Sequence, residues 1–210
     1  MITTTIKSTP GDIDRWTSET KKSADTYDNV WDKLAVNWPM LDENSTVFEV
    51  GSYKGRWAYQ IAKRYNPRLY CFEPQGWAYE TTRKLLENSN AQVFNYGLGT
   101  LDGRYPMTKY GTDGCSFTRE SFKTEFNGDG EIKEIAAAIE NLHITSIDLM
   151  LVNIEGYEHI LIPYMLDNGI VPDILMVQMH GNDKKTVEKV NSIYNNLLFD
   201  YGGTLRAWQK

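Results

Sequence analysis

Short apolar runs alternate with helical patterns from residue 46 to the end of the chain. The apolar runs predict strands, and the segments between them predict helices. The predicted strands are 46–50, 68–74, 91–99, 147–156 and 173–180, and the predicted helices are 56–65, 77–88, 131–141, 157–168 and 183–198. The tail, 202–209, predicts a last edge strand. This alternation is typical of a parallel sheet covered on both faces. We therefore expect an α/β fold with a doubly wound, mostly parallel sheet.

A different pattern precedes this core. Residues 12–38 predict one or two helices that end at Pro39, because proline cannot continue a helix. Their apolar stripe would consist of Trp16, Tyr27, Trp31 and Leu34. We expect two regions, an N-terminal helical segment over 1–40 and the α/β domain over 41–210.

The segment 100–130 interrupts the alternation. It contains five of the 16 glycines and the turn dipeptides Asp102-Gly103, Asp113-Gly114 and Asn127-Gly128. Turn residues at this density indicate a long excursion that could include a hairpin. Long loops in compact domains are often functional lids, so we predict that this segment covers a binding site and orders on ligand binding. A solvated insertion is the alternative.

Composition narrows the class of partner. The chain has 210 residues, a net charge of −6 and a pI of about 5.1, and no local run of Lys and Arg supplies the basic face that nucleic acid requires. No window approaches the ~18 apolar residues of a membrane span. The two cysteines form no CxxC pair, and the N-terminal residues lack the apolar core of a signal peptide. We expect a cytoplasmic protein with no membrane or nucleic-acid partner.

A glycine turn follows the first predicted strand. Gly51 ends that strand and Gly55 opens the next helix, a position where open α/β sheets bind ligands. Glu73 ends the second strand 22 residues after Gly51, where a carboxylate can accept hydrogen bonds from ribose hydroxyls. The dinucleotide fingerprint has a second glycine where this chain has Tyr53, which argues against a pyrophosphate. Glu49, two residues before Gly51, favours a cationic ligand instead.

Five ordered segments resemble the FkbM-type class I methyltransferases. The segment FEVGSYKGRWA is similar to the family's first motif, D-V-G-A-N-x-G, and CFEPQGWAYE to its second-strand motif. NYGLG matches the end of the third strand, IDLMLVNIEGYEHI is similar to I-D-x-x-K-I-D-V-E-G-x-E, and ILMVQMH to a strand that ends near Glu-x-His. The likeness extends from residue 46 to about residue 180.

The resemblance implies a Rossmann-like fold, S-adenosylmethionine as cofactor and a methyl acceptor that is usually a hydroxyl, often on a sugar or polyketide. It places the cofactor at Glu49, Gly51 and Gly55, with Glu73 on the ribose. The expected cofactor-binding set also includes Ser52, Pro74 and Gly97. The spacing of Glu49, Glu155 and His180 is not diagnostic of a metal site, and we predict no metal ligands.

The chain departs from the family in its fourth and fifth main strands. Leu151 and Asn153 stand where the family usually carries Lys and Asp, and Gln178 stands where Glu is common. Neither Asn153 nor Gln178 can take a proton, so Glu155 and His180 are the remaining candidates for the catalytic base. A structural role at the strand end is the alternative for His180.

Several residues have plainer interpretations. Glu158 could simply favour the first turn of a helix, where the dipole stabilises a carboxylate. We expect Trp77 and Tyr79 to be core residues, and adenine stacking is the alternative. We expect His143 and His159 to be helix-terminal or surface residues. Two other functions stay open: a catalytically weak S-adenosylmethionine-binding protein, motivated by the neutral positions, and an NAD-dependent oxidoreductase, which Tyr53 disfavours.

Overall fold

The computed structural model describes residues 34–35, 38–112, 114–117, 126–181 and 183–210. The predicted N-terminal helical segment therefore lies outside the described residues except near its end, and Trp16, Tyr27 and Trp31 are among the residues not described. Leu34, Ala35 and Trp38 are buried against one face of the central sheet.

The α/β alternation is confirmed. The ten strands in the described ranges are β1 (Thr46–Val50), β2 (Arg68–Phe72), β3 (Ala91–Phe94), β4 (Gly97–Gly99), β5 (Gly103–Thr108), β6 (Phe126–Glu134), β7 (Leu149–Val152), β8 (Ile174–Gln178), β9 (Asn196–Tyr201) and β10 (Leu205–Gln209). The five helices there are α1 (Arg56–Tyr65), α2 (Gly76–Leu85), α3 (Ile135–Asn141), α4 (Glu158–Asp167) and α5 (Lys184–Asn191).

Seven strands form the central sheet, in the order β3-β2-β1-β7-β8-β10-β9. The first five are mutually parallel, and β10 runs antiparallel to both of its neighbours. The chain order reverses between β1 and β7, which is the switch point where α/β sheets open a crevice at the carboxyl ends of their strands. The expected doubly wound, mostly parallel sheet is present.

The alternating side chains of β1 show how both faces are covered. Phe48 and Val50 pack into a core with residues of α3, α4 and α5, whereas Val47 packs into a second core with residues of α1. Successive residues of a strand point to opposite faces, so a strand buried on both sides is apolar throughout. Glu49 lies among these buried residues at 3% exposure, which makes it an exception with a cost.

The end of the chain corrects two sequence-based expectations. The helix predicted over 183–198 ends at Asn191, and residues 196–201 form strand β9. The tail strand β10 is not at the edge of the sheet, because it lies between β8 and β9. Leu205, Ala207 and Trp208 are buried, so β10 is an interior strand that requires hydrogen-bond partners on both sides. Residues 196–201 supply the hydrogen-bond partners on the second side of β10, so β9 is the edge strand.

The predicted third strand, 91–99, is also corrected. It divides into β3, which pairs with β2 in the central sheet, and β4, which pairs with β6 in a separate sheet of order β4-β6-β5. The antiparallel pair of β5 and β6 confirms a hairpin within 100–130. Because β6 extends to Glu134, the helix predicted from 131 begins at Ile135, and the Glu134 carboxylate caps it by accepting from the N–H groups of Ala136 and Ala137.

Candidate functional site

A cavity of about 700 Å³ opens at the carboxyl edge of the central sheet. The ends of β1, β2, β7 and β8 form its floor, and the smaller sheet with its loops contributes one wall. The structure brings eight of the nine sequence-predicted site residues to this cavity: Glu49, Gly51, Ser52, Glu73, Pro74, Gly97, Glu155 and His180. Gly55 does not line it.

The two glycines of the turn are required by chain packing. Gly51 has φ +86°, and a Cβ there would lie 2.0 Å from the carbonyl oxygen of Asn153, at the end of the neighbouring strand. Gly55 has φ +69°, and its Cβ would lie 2.7 Å from the Thr82 side chain on α2. A side chain at either position would therefore force backbone strain and a clash. The turn is tight because β1, β7 and α2 approach it closely.

Glu73 directly follows the neighbouring strand β2, and its side chain contacts the glycine turn. It is 3% exposed, and its two carboxylate oxygens accept from the N–H groups of Tyr53 at 2.7 Å and Gln75 at 2.9 Å. Burial raises the pKa of Glu73 to about 7, although these two hydrogen bonds oppose the rise. Each carboxylate oxygen has a second acceptor site, so Glu73 can still receive a donor from a ligand.

Four buried polar atoms that line the cavity have no hydrogen-bond partner within the described part of the chain. They are Glu49 Oε2, Ser52 Oγ, Trp57 Nε1 and Asn153 Oδ1. Two of these atoms accept, the indole N–H donates, and the serine hydroxyl does either. A buried polar group without a partner costs roughly 1–3 kcal/mol, so such a cluster indicates a ligand with matching groups.

Glu49 has the most unfavourable position in this cluster. Burial raises its pKa well above the ordinary value, and the nearby Glu73 carboxylate raises it further. The Cys71 thiol and the backbone of Ala58 offset this only in part. A cationic group beside Glu49 would relieve both causes.

His180 lies between two carboxylates at the other end of the cavity. Its Nε2 is 3.1 Å from Glu155 Oε1, and its Nδ1 is 3.1 Å from Glu158 Oε1. The side-chain nitrogen of Gln178 is 3.1 Å from the same Nε2. Burial alone would lower the pKa of His180, but hydrogen bonds and charge from Glu155 and Glu158 raise it to about 9. In this state of the protein, the ring is an imidazolium at neutral pH.

The backbone at Glu155 has an unusual conformation. Its φ is +54°, and Gly156 follows at +102°. A non-glycine residue in this region costs on the order of 1–3 kcal/mol, and such residues concentrate at functional sites. The conformation directs the Glu155 carboxylate toward His180 after the chain leaves β7.

Sequence reasoning missed the importance of Glu158. It does stand in the first turn of α4, as expected, but its side chain is fully buried and bonds to His180. His159 is helix-terminal, one of its two expected positions, because it is the second residue of α4. Its Nε2 contacts the carbonyl oxygen of His180, and its Nδ1 lies 3.3 Å from Asp183. His143 is exposed, as expected. The available signal was the spacing Glu155-x-x-Glu158, which puts both carboxylates near one strand end.

The segment 100–130 contributes the apolar wall. Met107, Gly114, Cys115 and Phe117 line the cavity, and the Ser116 hydroxyl donates to the Glu155 carbonyl oxygen at 2.7 Å. The described part of this segment therefore lines the site, and its covering of the bound acceptor and its ordering on ligand binding stay predictions. Trp77 is a buried residue that packs edge-on against Tyr53 and does not line the cavity, which fits the core interpretation.

Among the helices that the structure describes, none combines the length and apolar character needed to cross a bilayer. Across the described ranges, no three His, Cys, Asp or Glu side chains are grouped so that they could hold a metal ion.

Comparisons with known proteins support the fold. No protein-family model and no curated protein sequence matches the chain. Among solved structures, an rRNA methylase from Streptococcus thermophilus is similar at 15% identity and a TM-score of 0.51, over 86% of this chain and 93% of that one. A precorrin-6y C5,15-methyltransferase from Geobacter metallireducens aligns at 10% identity and TM-score 0.46, over 100% and 94% of the two chains. An O-methyltransferase from Bacillus cereus in complex with SAH aligns at 10% identity and TM-score 0.47, over 98% and 94%.

The first of these likenesses, together with the strand order, shows that the chain has the Rossmann-like fold of class I methyltransferases. At this level of identity the likeness concerns the fold alone, and function has to be argued from the site.

Proposed function

We propose that this chain is an S-adenosylmethionine-dependent methyltransferase that methylates a hydroxyl group on a small molecule or a sugar. The observation that carries the proposal is the cluster of unpartnered polar atoms beside Glu73. An ammonium group suits the acceptors Glu49 and Asn153, a carboxylate suits the donors Ser52 and Trp57, and ribose hydroxyls suit Glu73. S-adenosylmethionine carries all three groups.

NAD fits this set poorly. Its pyrophosphate needs a cradle of backbone N–H groups, which the second glycine of the dinucleotide turn makes accessible. Here that position is Tyr53, with φ +48°, and its N–H is already bonded to Glu73.

The methyl acceptor would bind between the apolar wall and the Glu155–His180 pair. When bound, the cofactor supplies an activated methyl group, which passes to the acceptor oxygen and leaves S-adenosylhomocysteine behind. His180 Nε2, in its unprotonated state, would receive the hydroxyl proton and later release it to water. Because the pKa of His180 is about 9, turnover with His180 as base should rise as pH increases toward that value. Glu155 is the alternative base, and it would need no such rise.

The neutral substitutions motivate a second candidate, a catalytically weak binding protein. Leu151 and Asn153 line the cavity without a titratable group, and Gln178 contributes only an amide near His180. The Glu155–His180 pair in the same cavity favours catalysis over binding alone. The five ordered motifs support membership of the FkbM-type family within the class I methyltransferases.

RNA is the competing acceptor, because the rRNA methylase shares the fold. The net charge of −6 favours a small acceptor, since RNA binding draws on a positively charged surface. The assay below therefore includes RNA beside the hydroxylated compounds.

The test combines binding and turnover. Calorimetry should detect S-adenosylhomocysteine binding and no NAD binding. 5′-Methylthioadenosine, which lacks the amino-acid portion, should bind more weakly than S-adenosylhomocysteine. Ser52→Ala should narrow that difference by removing one partner of the amino-acid portion, by about 0.5–1.5 kcal/mol. A screen for S-adenosylhomocysteine release with sugars, phenols, aliphatic alcohols and RNA then identifies the acceptor class. NAD binding without S-adenosylhomocysteine binding would contradict the proposal.

A further inference from the structure

The Glu158 carboxylate holds three separate donors. Its Oε1 accepts from the backbone N–H of His180 at 2.6 Å and lies 3.1 Å from His180 Nδ1. Its Oε2 accepts from the N–H of Gly156 at 2.8 Å. The side chain is fully buried, so water does not compete for these contacts. One carboxylate thus joins the loop after β7, the first turn of α4 and His180, which stands two residues after the end of β8.

We propose that Glu158 is a positioning residue for His180. Its carboxylate binds the backbone N–H and Nδ1 of the histidine, so that Nε2 faces the cavity beside Glu155. The inference rests on the proposed function, because it assigns the orientation of the base in that reaction. Glu158 does not line the cavity, so it would act through His180 and not on the substrate itself.

The contact at Nδ1 determines which nitrogen can act. In a neutral imidazole, one nitrogen carries the proton and the other carries the free lone pair. Carboxylates face both nitrogens at 3.1 Å, Glu158 at Nδ1 and Glu155 at Nε2. Glu158 is fully buried whereas Glu155 is 18% exposed, so solvent screens the interaction at Nδ1 less. The one proton of the neutral ring therefore stays on Nδ1, which leaves the lone pair on Nε2. The acceptor hydroxyl can then give its proton to Nε2, and the ring becomes an imidazolium stabilised by Glu158. The imidazolium returns to neutral by releasing that proton to water.

The groups around His180 agree with this role. Glu155 faces it from the loop after β7, Glu158 from α4, and the uncharged amide of Gln178 from β8. His159 contacts only its carbonyl oxygen and is paired with Asp183 at the start of α5. Two anions therefore surround the ring, and they raise its pKa to about 9. Removal of the Glu158 charge should make His180 a weaker base and leave the orientation of its ring less fixed.

The test is a titration of His180 by NMR in the full chain, together with the pH profile of turnover. The chain has three histidines, so the His180 signal can be assigned by its loss in His180→Gln. In the wild type, the midpoint should lie near 9. Glu158→Gln should move it toward ~6.5 and move the alkaline rise of kcat by the same amount. At pH values above both midpoints, where the ring is neutral in both proteins, we expect kcat to fall about 10- to 100-fold and the KM for S-adenosylmethionine to stay within about twofold.

Glu80→Gln is the matched control. It removes one carboxylate from an exposed position on α2, where Glu80 pairs with Arg83, and it should change neither the His180 midpoint nor kcat. Glu158→Asp keeps the charge with a shorter side chain. It should leave the midpoint above ~6.5 while kcat falls, because the three contacts cannot all be retained.

An unchanged midpoint in Glu158→Gln would overturn the inference. If that variant fails to fold, the wild type still decides the matter, since a His180 midpoint near ~6.5 would show that Glu158 does not act on the ring. The titration needs no turnover, so the two proposals can fail separately. A chain that binds no S-adenosylhomocysteine but shows a coupled His180 midpoint would contradict the proposed function and support the contact.

Discussion

The two ends of the cavity differ in how their polar groups are satisfied. At the glycine turn, Glu49, Ser52, Trp57 and Asn153 each present a buried atom with no partner among the described residues. At the histidine end, the backbone N–H and both ring nitrogens of His180 contact Glu155 or Glu158, and its carbonyl oxygen contacts His159. Both ends lie on the carboxyl edge of one sheet and share one cavity.

This contrast separates binding from chemistry. Unpartnered atoms raise the free energy of the empty site, and a ligand that satisfies them recovers that cost. A base needs the opposite arrangement, because a ring that is already oriented loses little freedom when the acceptor arrives. The glycine turn therefore has the character of a cofactor site, and the histidine cluster has the character of a preorganised catalytic group.

The largest expected effect is at the histidine end. His180→Ala should lower turnover by about 10²–10⁴ if His180 is the base, while S-adenosylhomocysteine still binds, because Glu49 and Glu73 are untouched. The measurements are initial rates of S-adenosylhomocysteine formation across pH and calorimetric binding in parallel. His143→Ala, at an exposed position, is the control. Wild-type turnover in His180→Ala would show that His180 is not the base. Glu155 would then be the base, or the proximity of the bound reactants would account for most of the rate.

The next effect separates two glycines of the same cavity. Gly51→Ala should destabilise the fold by about 3 kcal/mol, because φ is +86° and the new Cβ would lie 2.0 Å from the Asn153 carbonyl oxygen. Gly97→Ala is the matched control, since its nearest contact would be 3.5 Å, to Phe117, and its φ is not in the left-handed region. Chemical denaturation of both variants gives the comparison. Equal stability of the two would contradict the close approach at Gly51.

The sequence predicted the glycine end better than the histidine end, for a physical reason. Gly51 and Glu73 belong to a local strand-turn-helix pattern and its neighbouring strand, so their spacing alone places them together. The contact between Glu158 and His180 also joins residues 22 positions apart, but no recurrent turn pattern marks it, because it is a side-chain contact between the first turn of α4 and the chain after β8. No local pattern distinguishes a buried carboxylate at a helix start from an exposed one.

The same reasoning explains the errors in the fold. The sequence predicts β3 and β4 as one strand over 91–99, because only two residues separate them. The helix predicted over 183–198 includes the first three residues of β9, because Asn196–Tyr201 lack the apolar alternation of a half-buried strand. In the structure these residues are mostly exposed. The pairing of β9 with β10 is a tertiary effect, and tertiary context overrides local preference.

A smaller effect tests the ribose contact. Glu73→Ala should weaken S-adenosylhomocysteine binding by about 1.5–3 kcal/mol, the range for a hydrogen bond to a charged group. It also removes the acceptor for the Tyr53 and Gln75 N–H groups, so folding must be checked by thermal denaturation. Glu73→Gln keeps acceptor capacity and should lose less affinity. Binding at wild-type strength in a folded Glu73→Ala variant would exclude Glu73 as a ligand contact.

The smallest effect uses pH to address each end separately. The pKa of Glu73 is raised from 4.5 to about 7, and that of His180 from 6.5 to about 9. Each group binds more protons in the folded state than in the unfolded state between its two values, so stability falls as pH rises through that window. Glu73 should lower stability between pH 4.5 and 7, and His180 between pH 6.5 and 9. Burial also raises the pKa of Glu49, which adds to the fall above pH 4.5. We expect a change on the order of 1 kcal/mol in each window, measured by calorimetric Tm in the absence of ligand. Glu73→Gln should reduce the fall in the lower window, where Glu49 still contributes, and leave the upper window unchanged, whereas His180→Gln should flatten only the upper one. Flattening of both windows by one variant would mean that the two ends titrate as a single unit, which would contradict the division between a binding end and a catalytic end.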